Sequence, residues 1–540
     1  RADGTHSDVV THSRTDVDAL AWRRDGDALV YSTAAGRSEA DLAIEREGRG
    51  GWNYDARILP YLSARPRVSG SIPTQRYVID VATGRIQAAT PDDAVLLPTP
   101  GPPAAMSKTG RRAWTSRSAA TPFGALRLFA TDAAGHAVEC RAAPCDGGFT
   151  GLWWDAGGRD LVFLRFEGWH GDEMALYRWR PGAGAPRRIL TGHSVLDGCI
   201  PAAQRLLCLR ENSTTPRQLV SINPATGAFA VLFDPNPEFG AITLGKVERL
   251  HWRNANGLEG WGDLVLPPAY RSGETLPMVV VQYRSQGFLR GGTGDEYPIH
   301  ALAAHGFAVL SVERVADYAD SLPNVRTVDE ANAADLKGWA EMKNQVSSII
   351  AGIAQVRARG IVDPSRIGIS GLSAGAMSAK FALLNTDLFA AASISGNSLE
   401  PRTIMTYTGT AFADTWRSYG FPPASGSDPD LWRPFSLAQN AATMNVPILF
   451  QVADDEYLLA LEAYAALREH KQPVDLFVFP GEHHEKWQPA HRLAIYQRNV
   501  DWFDFWLLDH RDPSPAKAAQ YQRWDALRRS RRRPVTPRGS

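Results

Sequence analysis

Long apolar runs are missing from this 540-residue chain. None approaches the roughly 20 residues that a membrane-spanning helix needs, so no membrane partner is expected. Net charge is missing too. Lys plus Arg number 58 and Asp plus Glu number 58, a balance that points to neither nucleic acid nor an anionic surface. No His-x-x-x-His spacing and no Cys-x-x-Cys pair occurs, so neither a metal nor another cofactor is expected. The first residues show no leader pattern. Arg1 to His12 carry no charged-then-apolar pattern and the chain opens on Arg rather than Met, which reads as a processed, trimmed or engineered start and is compatible with an export signal already removed. Cysteine is scarce: four residues, all in the first half, as Cys140 with Cys145 and Cys199 with Cys208. An even count permits disulfides, and Cys199 and Cys208 flank a hairpin turn at Pro201 to Arg205, where cross-strand neighbours can meet disulfide geometry. Two readings stay open, free thiols in a cytosolic protein or one or two local bridges in an exported one.

At this length one hydrophobic core rarely suffices, so two domains are expected. From Asp16 to about Val247 short apolar strands alternate with Gly-containing turns, as at Ser107-Lys108-Thr109-Gly110 and Trp154-Asp155-Ala156-Gly157-Gly158, and no long helical period is visible. The later turns recur at about 45 to 50 residues, the length of a four-stranded propeller blade, with room for roughly five blades. A β-sandwich array is the competing reading, since short strands with Gly turns suit it as well. After Lys246 the texture changes. A last hairpin spans 247–267, Pro277 to Val281 is apolar throughout as a strand buried on both faces should be, and strands then alternate with helices, including a long helical stretch over 331–359. That order predicts a doubly wound, mostly parallel sheet covered by helices on both faces. The expected division is a β-propeller over 1–245, an α/β-hydrolase domain over 246–510 and a C-terminal extension with a basic tail over 511–540.

The sharpest chemical signal is Gly371-Leu372-Ser373-Ala374-Gly375, which follows the strand Arg366 to Ser370 and precedes the small-residue helix Ala376 to Leu384. That is the setting of a nucleophile elbow: the turn is crowded, so only small residues fit two positions either side of Ser373, and the helix N-terminus favours developing negative charge. A serine hydroxyl needs a general base, and the base needs an orienting acid. The acid should follow a later strand, and Val446 to Phe450 runs into Asp454-Asp455. The base should follow the next strand, and Leu476 to Phe479 runs into His483-His484. Both doublets leave the choice open, with a helix-capping Asp455 and a solvated His483 as the bland readings of the spare members. The backbone N–H of Ala374 and the phenol of Tyr283, at the end of the buried strand Met278 to Gln282, are the candidate oxyanion donors.

A propeller-type half, then a hydrolase half with a Tyr ending an early strand, resembles the prolyl oligopeptidase family of serine peptidases over nearly the whole chain. The resemblance implies a triad of Ser373, Asp454 and His484, with Tyr283 and Ala374 as oxyanion donors, although His483 and Glu485 stand where many relatives carry Gly. A narrower likeness lies in QYRSQGFLRGGTGDEYP at 282–298, ADDEYLLALEAYAALREH at 453–470, FPGEHHEKWQPAHRLAIYQRNVDWFDFWL at 479–507 and DPSPAKAAQYQRWDALR at 512–528. These resemble the lasso-peptide isopeptidases of proteobacteria, which open the macrolactam between a peptide's N-terminal amine and an Asp or Glu side chain. That likeness implies a compact peptide as substrate. Such proteins carry a longer propeller, so about two blades are expected to precede Arg1. The alternatives are a dipeptidyl or acylaminoacyl peptidase of the same family and a catalytically silent scaffold. Dipeptidyl peptidases typically hold the free amine with a paired-Glu motif, and no Glu-Glu dipeptide occurs here; a complete Ser, acid, His order argues against the scaffold. The Arg-rich stretch 528–533 reads as a solvated tail and 537–540 as a cleavage-site remnant.

Overall fold

Short strands separated by Gly turns cannot bury their faces singly, and in the first half they assemble into four antiparallel four-stranded sheets, over 17–88, 104–139, 149–192 and 195–233. The computed structural model describes residues 9–530 apart from 12–14, 24–25, 35, 69–71, 95, 98–100, 118–123, 397–398 and 427. The last three sheets begin at Ala104, Phe149 and Val195, the blade-length repeat that the turns announce. Roughly five blades were expected; four sheets are present among the described residues, because 34–74 is spent otherwise. A 12-residue helix, Arg37–Gly48, occupies part of it. The sequence shows no long helical period here, and this helix has none to show. Ala, Leu, Glu and Arg favour helix intrinsically, but only Ile44 is buried, so no apolar stripe betrays it. The fold class is a β-propeller followed by an α/β-hydrolase.

The chain divides into two compact units, 1–102 with 409–411 and 103–408 with 412–540. The first holds the 17–88 sheet and the helix beside it. The second holds the other three sheets and an eight-stranded sheet. Within it, Trp169 Nε1 donates to the carbonyl of Gly260 at 2.9 Å and Arg290 meets Glu211 at 2.7 Å, so the 149–192 and 195–233 sheets are both tied to the hydrolase part. Cys140 is bonded to Cys145 and Cys199 to Cys208, which resolves the cysteine question in favour of two local bridges.

The eight-stranded sheet is built from β1 (Val247–Arg253), β2 (Glu259–Val265), β3 (Leu276–Tyr283), β4 (Ala308–Glu313), β5 (Val362–Leu372), β6 (Ala391–Ser395), β7 (Ile448–Ala453) and β8 (Val474–Phe479). Their spatial order is β1-β2-β4-β3-β5-β6-β7-β8. The pairs β1–β2 and β2–β4 are antiparallel, and all others are parallel. Val279, Val280, Ile369, Ala392 and Leu449 are fully buried, as central strands covered on both faces must be. The expected helix over 331–359 is broken. It forms as Val328–Leu336 and then α1 (Ala340–Ala358), because Gly338 and Trp339 both adopt positive φ between them. The stretch after 511 is more than a tail: Trp524 and Tyr521 of the helix Ala518–Ser530 are buried beside Trp502 and Phe505, and Arg528 pairs with Asp509. Residues 531–540, which include the end of the Arg-rich stretch and 537–540, lie outside the described residues. No helix among the described residues is long and apolar enough to cross a membrane.

Candidate active site

In a parallel sheet the carboxyl ends of the strands open onto one edge, and every chemically suggestive residue stands there. β5 ends at Leu372, Ser373 takes φ 59° and ψ −120°, and α2 (Ala374–Asn385) begins at once. This is a strained conformation for a residue with a side chain, and the surroundings enforce it. A Cβ at Gly371 would lie 2.4 Å from the Gly375 backbone, so Gly371 is not replaceable without moving the turn, and one at Gly375 would lie 3.2 Å from the Tyr283 ring and press on it. The fully buried Tyr297 donates its hydroxyl to the Gly371 carbonyl at 2.9 Å, and Gln282 donates to the Gly375 carbonyl at 3.2 Å. Ser373 N–H donates to the Ser395 carbonyl at 3.0 Å. Ala374, as the first residue of α2, has an N–H without an intrahelical acceptor, which is what an oxyanion donor requires.

The strands β7 and β8 run into two facing segments whose side chains pair in register. Asp454 accepts the backbone N–H of Gly481 at 2.8 Å and of Glu482 at 3.3 Å. Asp455 meets Nδ1 of His483 at 3.0 Å, and Glu456 meets Nδ1 of His484 at 2.6 Å. The residue against His484 is therefore Glu456, not Asp454 as expected. The reason is reach. Asp454 is used up in closing the loop that carries the histidines, while Glu456, one turn further on and one methylene longer, points back to the imidazole. His483 is the exposed member of its doublet, with a side chain 76% accessible, and His484 is half-buried. Asp455 does not cap a helix but pairs with His483; the helix α3 (Tyr457–Glu469) starts two residues later.

His484 lies at the elbow through Gly396. Ser395 is paired with Leu372 across β5 and β6, and a Cβ on the next residue, Gly396, would come within 2.8 Å of His484 Cε1. Gly396 has φ +69°, so it supplies both the turn and the space for the ring. The hydrogen bond that His484 donates to Glu456 raises the proton affinity of the imidazole, and burial opposes it only in part. With Nδ1–H directed at the acceptor-only carboxylate, Nε2 is left to accept a proton. A serine at an elbow beside an imidazole oriented by a carboxylate is equipped for acyl transfer.

Tyr283 ends β3 beside this group. The chain after it is held from below: Ser285 N–H donates to Glu313 at 2.6 Å and Ser285 Oγ donates to Asp263 at 3.2 Å. Burial pushes the Glu313 carboxyl up to about 7. Beyond it, Arg284, Arg290 and Asp295 line a cavity of about 510 Å³ together with Asp197, Glu211 and Arg217 from the 195–233 sheet. The lining mixes these charged groups with apolar side chains such as Phe166, Met174, Leu196 and Phe288.

Residues 336–510 match the prolyl oligopeptidase family. The lasso peptide isopeptidase AtxE2 of Asticcacaulis excentricus is 42% identical over 537 residues, which is 99% of this chain and 76% of that protein. Two solved structures of AtxE2 isopeptidase, one apo and one a serine-to-alanine variant with Astexin3-dC4 bound, each share 41% identity and a TM-score of 0.89 over 98% of this chain and 81% of theirs. A Pyrococcus horikoshii acylaminoacyl peptidase, 16% identical over 94% of this chain and 84% of that one with TM-score 0.60, shares the fold.

Proposed function

This chain belongs to the prolyl oligopeptidase family of serine peptidases, and we propose from that premise that it hydrolyses the isopeptide bond of a lasso peptide, with Ser373 as nucleophile, His484 as base and Glu456 as the orienting acid. The observation that carries the substrate class is the 42% identity to AtxE2 across 99% of the chain. In this reading 1–245 is the propeller, 246–510 the catalytic domain and 511–540 its extension.

The chemistry is acyl transfer. Ser373 Oγ attacks the carbonyl carbon of the side-chain amide and its proton passes to His484 Nε2. The negative charge on the carbonyl oxygen is met by the N–H of Ala374 and the hydroxyl of Tyr283. The C–N bond then breaks and the proton from His484 goes to the departing amine, the peptide's own N-terminus. Water, deprotonated by His484, hydrolyses the Ser373 ester and restores the serine. The product is the linear peptide with a free amine and a free side-chain carboxylate. It is heavier by one water, about 18 daltons.

A threaded lasso peptide should be opened efficiently and the same peptide unthreaded should be opened poorly. A threaded tail limits the orientations of the ring, so binding energy can be used to align the amide with Ser373. Mass spectrometry on threaded, unthreaded and linear forms reads this directly. Release of dipeptides or acylated residues from linear peptides, with every lasso peptide left intact, would replace the isopeptidase reading with that of a dipeptidyl or acylaminoacyl peptidase. Tyr283→Phe should lower kcat by about 100- to 1000-fold with KM little changed, since the lost donor acts mainly in the transition state. An unchanged kcat in steady-state assays would leave Tyr283 as a ring packed against Gly375 and nothing more.

A further inference from the structure

Below His484 lies a second pair of opposite charges that the reaction scheme does not use. Lys486 and Glu296 have side chains 0% and 2% accessible, and Nζ lies 2.8 Å from Oε1. The same ammonium donates to Ser395 Oγ at 2.6 Å and to the His484 carbonyl at 3.3 Å. The ammonium thus links three elements, by charge to Glu296 in the segment before the helix Ile299–Ala304 and by hydrogen bonds to the end of β6 and the histidine loop. Ser395 is the residue whose carbonyl accepts Ser373 N–H, and it precedes Gly396, against which the His484 ring rests. One cation therefore spans the backbone contacts of the serine and those of the histidine.

Stability does not account for such a pair. Removing two charges from water is expensive, and apolar side chains of similar volume commonly serve as well or better. What an ion pair supplies and an apolar pair cannot is direction and field. Both groups act on the imidazole: Glu456 raises its proton affinity most, Lys486 lowers it and Glu296 raises it. Glu296 in turn faces Lys486 and His484, with Tyr297 and Tyr496 within its field.

We infer that Lys486, with Glu296 as its counter-ion, is a positioning residue for catalysis, which holds the His484 loop against the strand end that carries Ser373 and sets the charge beneath the ring. This rests on the reading of His484 as the base for Ser373, and the test keeps the two apart by reading the serine itself rather than a peptide. The rate at which a fluorophosphonate labels Ser373 is measured against pH in the full chain, with thermal melts alongside. Glu296→Gln keeps the shape and removes the anion. The imidazolium is then less stabilised, its pKa falls, and the acid limb of the labelling profile should move to lower pH by roughly half a unit to one unit. The double variant Lys486→Met with Glu296→Met buries no charge and should melt near the parent. It loses the tie to Ser395 and to the His484 carbonyl, so labelling should slow about 10- to 100-fold. An unmoved limb in Glu296→Gln together with parental labelling in the double variant would overturn the inference and leave the serine hydrolase reading standing. A parent that is not labelled at Ser373 would overturn both.

Discussion

Glu456→Gln should lower kcat by about 10⁴-fold while the protein stays folded, a loss of the size seen when the acid of a serine triad is made an amide. The carboxylate accepts Nδ1–H of His484 at 2.6 Å. An amide can turn its NH2 to the ring instead and so favour the tautomer with the proton on Nε2, the atom that must take the proton from Ser373. Asp454→Asn should behave differently. Asp454 accepts two backbone N–H groups of the histidine loop and touches neither imidazole. Its variant should keep kcat within about tenfold of the parent and show its effect as a lower melting temperature, because the loop closure is weakened. Steady-state kinetics and thermal melts on the two variants separate the roles. A collapse of kcat in Asp454→Asn with Glu456→Gln unaffected would return the acid role to Asp454.

The contrast shows where the sequence is legible and where it stops. Ser373 is readable because the elbow needs small residues at fixed offsets between a strand and a helix, and a local pattern of that kind survives as a string of letters: Gly371 has no room for a Cβ and Gly375 has little. The alternation of strands and helices after Lys246 is readable for the same local reason. The partner of His484 is not local. Asp454, Asp455 and Glu456 are consecutive acids, and which one meets the ring depends on how the loops after β7 and β8 pair, a register that opens only in three dimensions. One sequence signal was available: three acids facing two histidines leaves one acid for another task, and a Glu reaches further than an Asp. Lys486 lay equally in view, since a lysine two residues past a histidine reads as solvated until Glu296, 190 positions away, is seen against it. The helix Arg37–Gly48 was hidden for the opposite reason. It has propensity but almost no buried face, and periodicity is what a sequence reading detects.

Ser373→Ala should abolish turnover, with kcat lower by about 10⁶-fold, and should leave peptide binding in place. Alanine has the same Cβ as serine, so the cost of φ 59° is already met in the parent and the variant removes only Oγ. The contacts that shape the elbow do not involve that atom. Tyr297 holds the Gly371 carbonyl, Gln282 holds that of Gly375, and Ser373 bonds Ser395 through its backbone N–H. The proposed oxyanion donors, Ala374 N–H and Tyr283 hydroxyl, and the charged cavity at 284–295 likewise remain. Calorimetric titration with a threaded lasso peptide should therefore give a Kd within about threefold of that for the parent, while mass spectrometry finds no product heavier by one water. Any remaining rate comes from water attacking an amide that the oxyanion donors still polarise, and it should be lost when Tyr283 is also changed to Phe. Residual turnover within about tenfold of the parent would reject Ser373 as the nucleophile. Loss of binding with the fold intact would instead mean that Oγ contacts the bound peptide before it attacks.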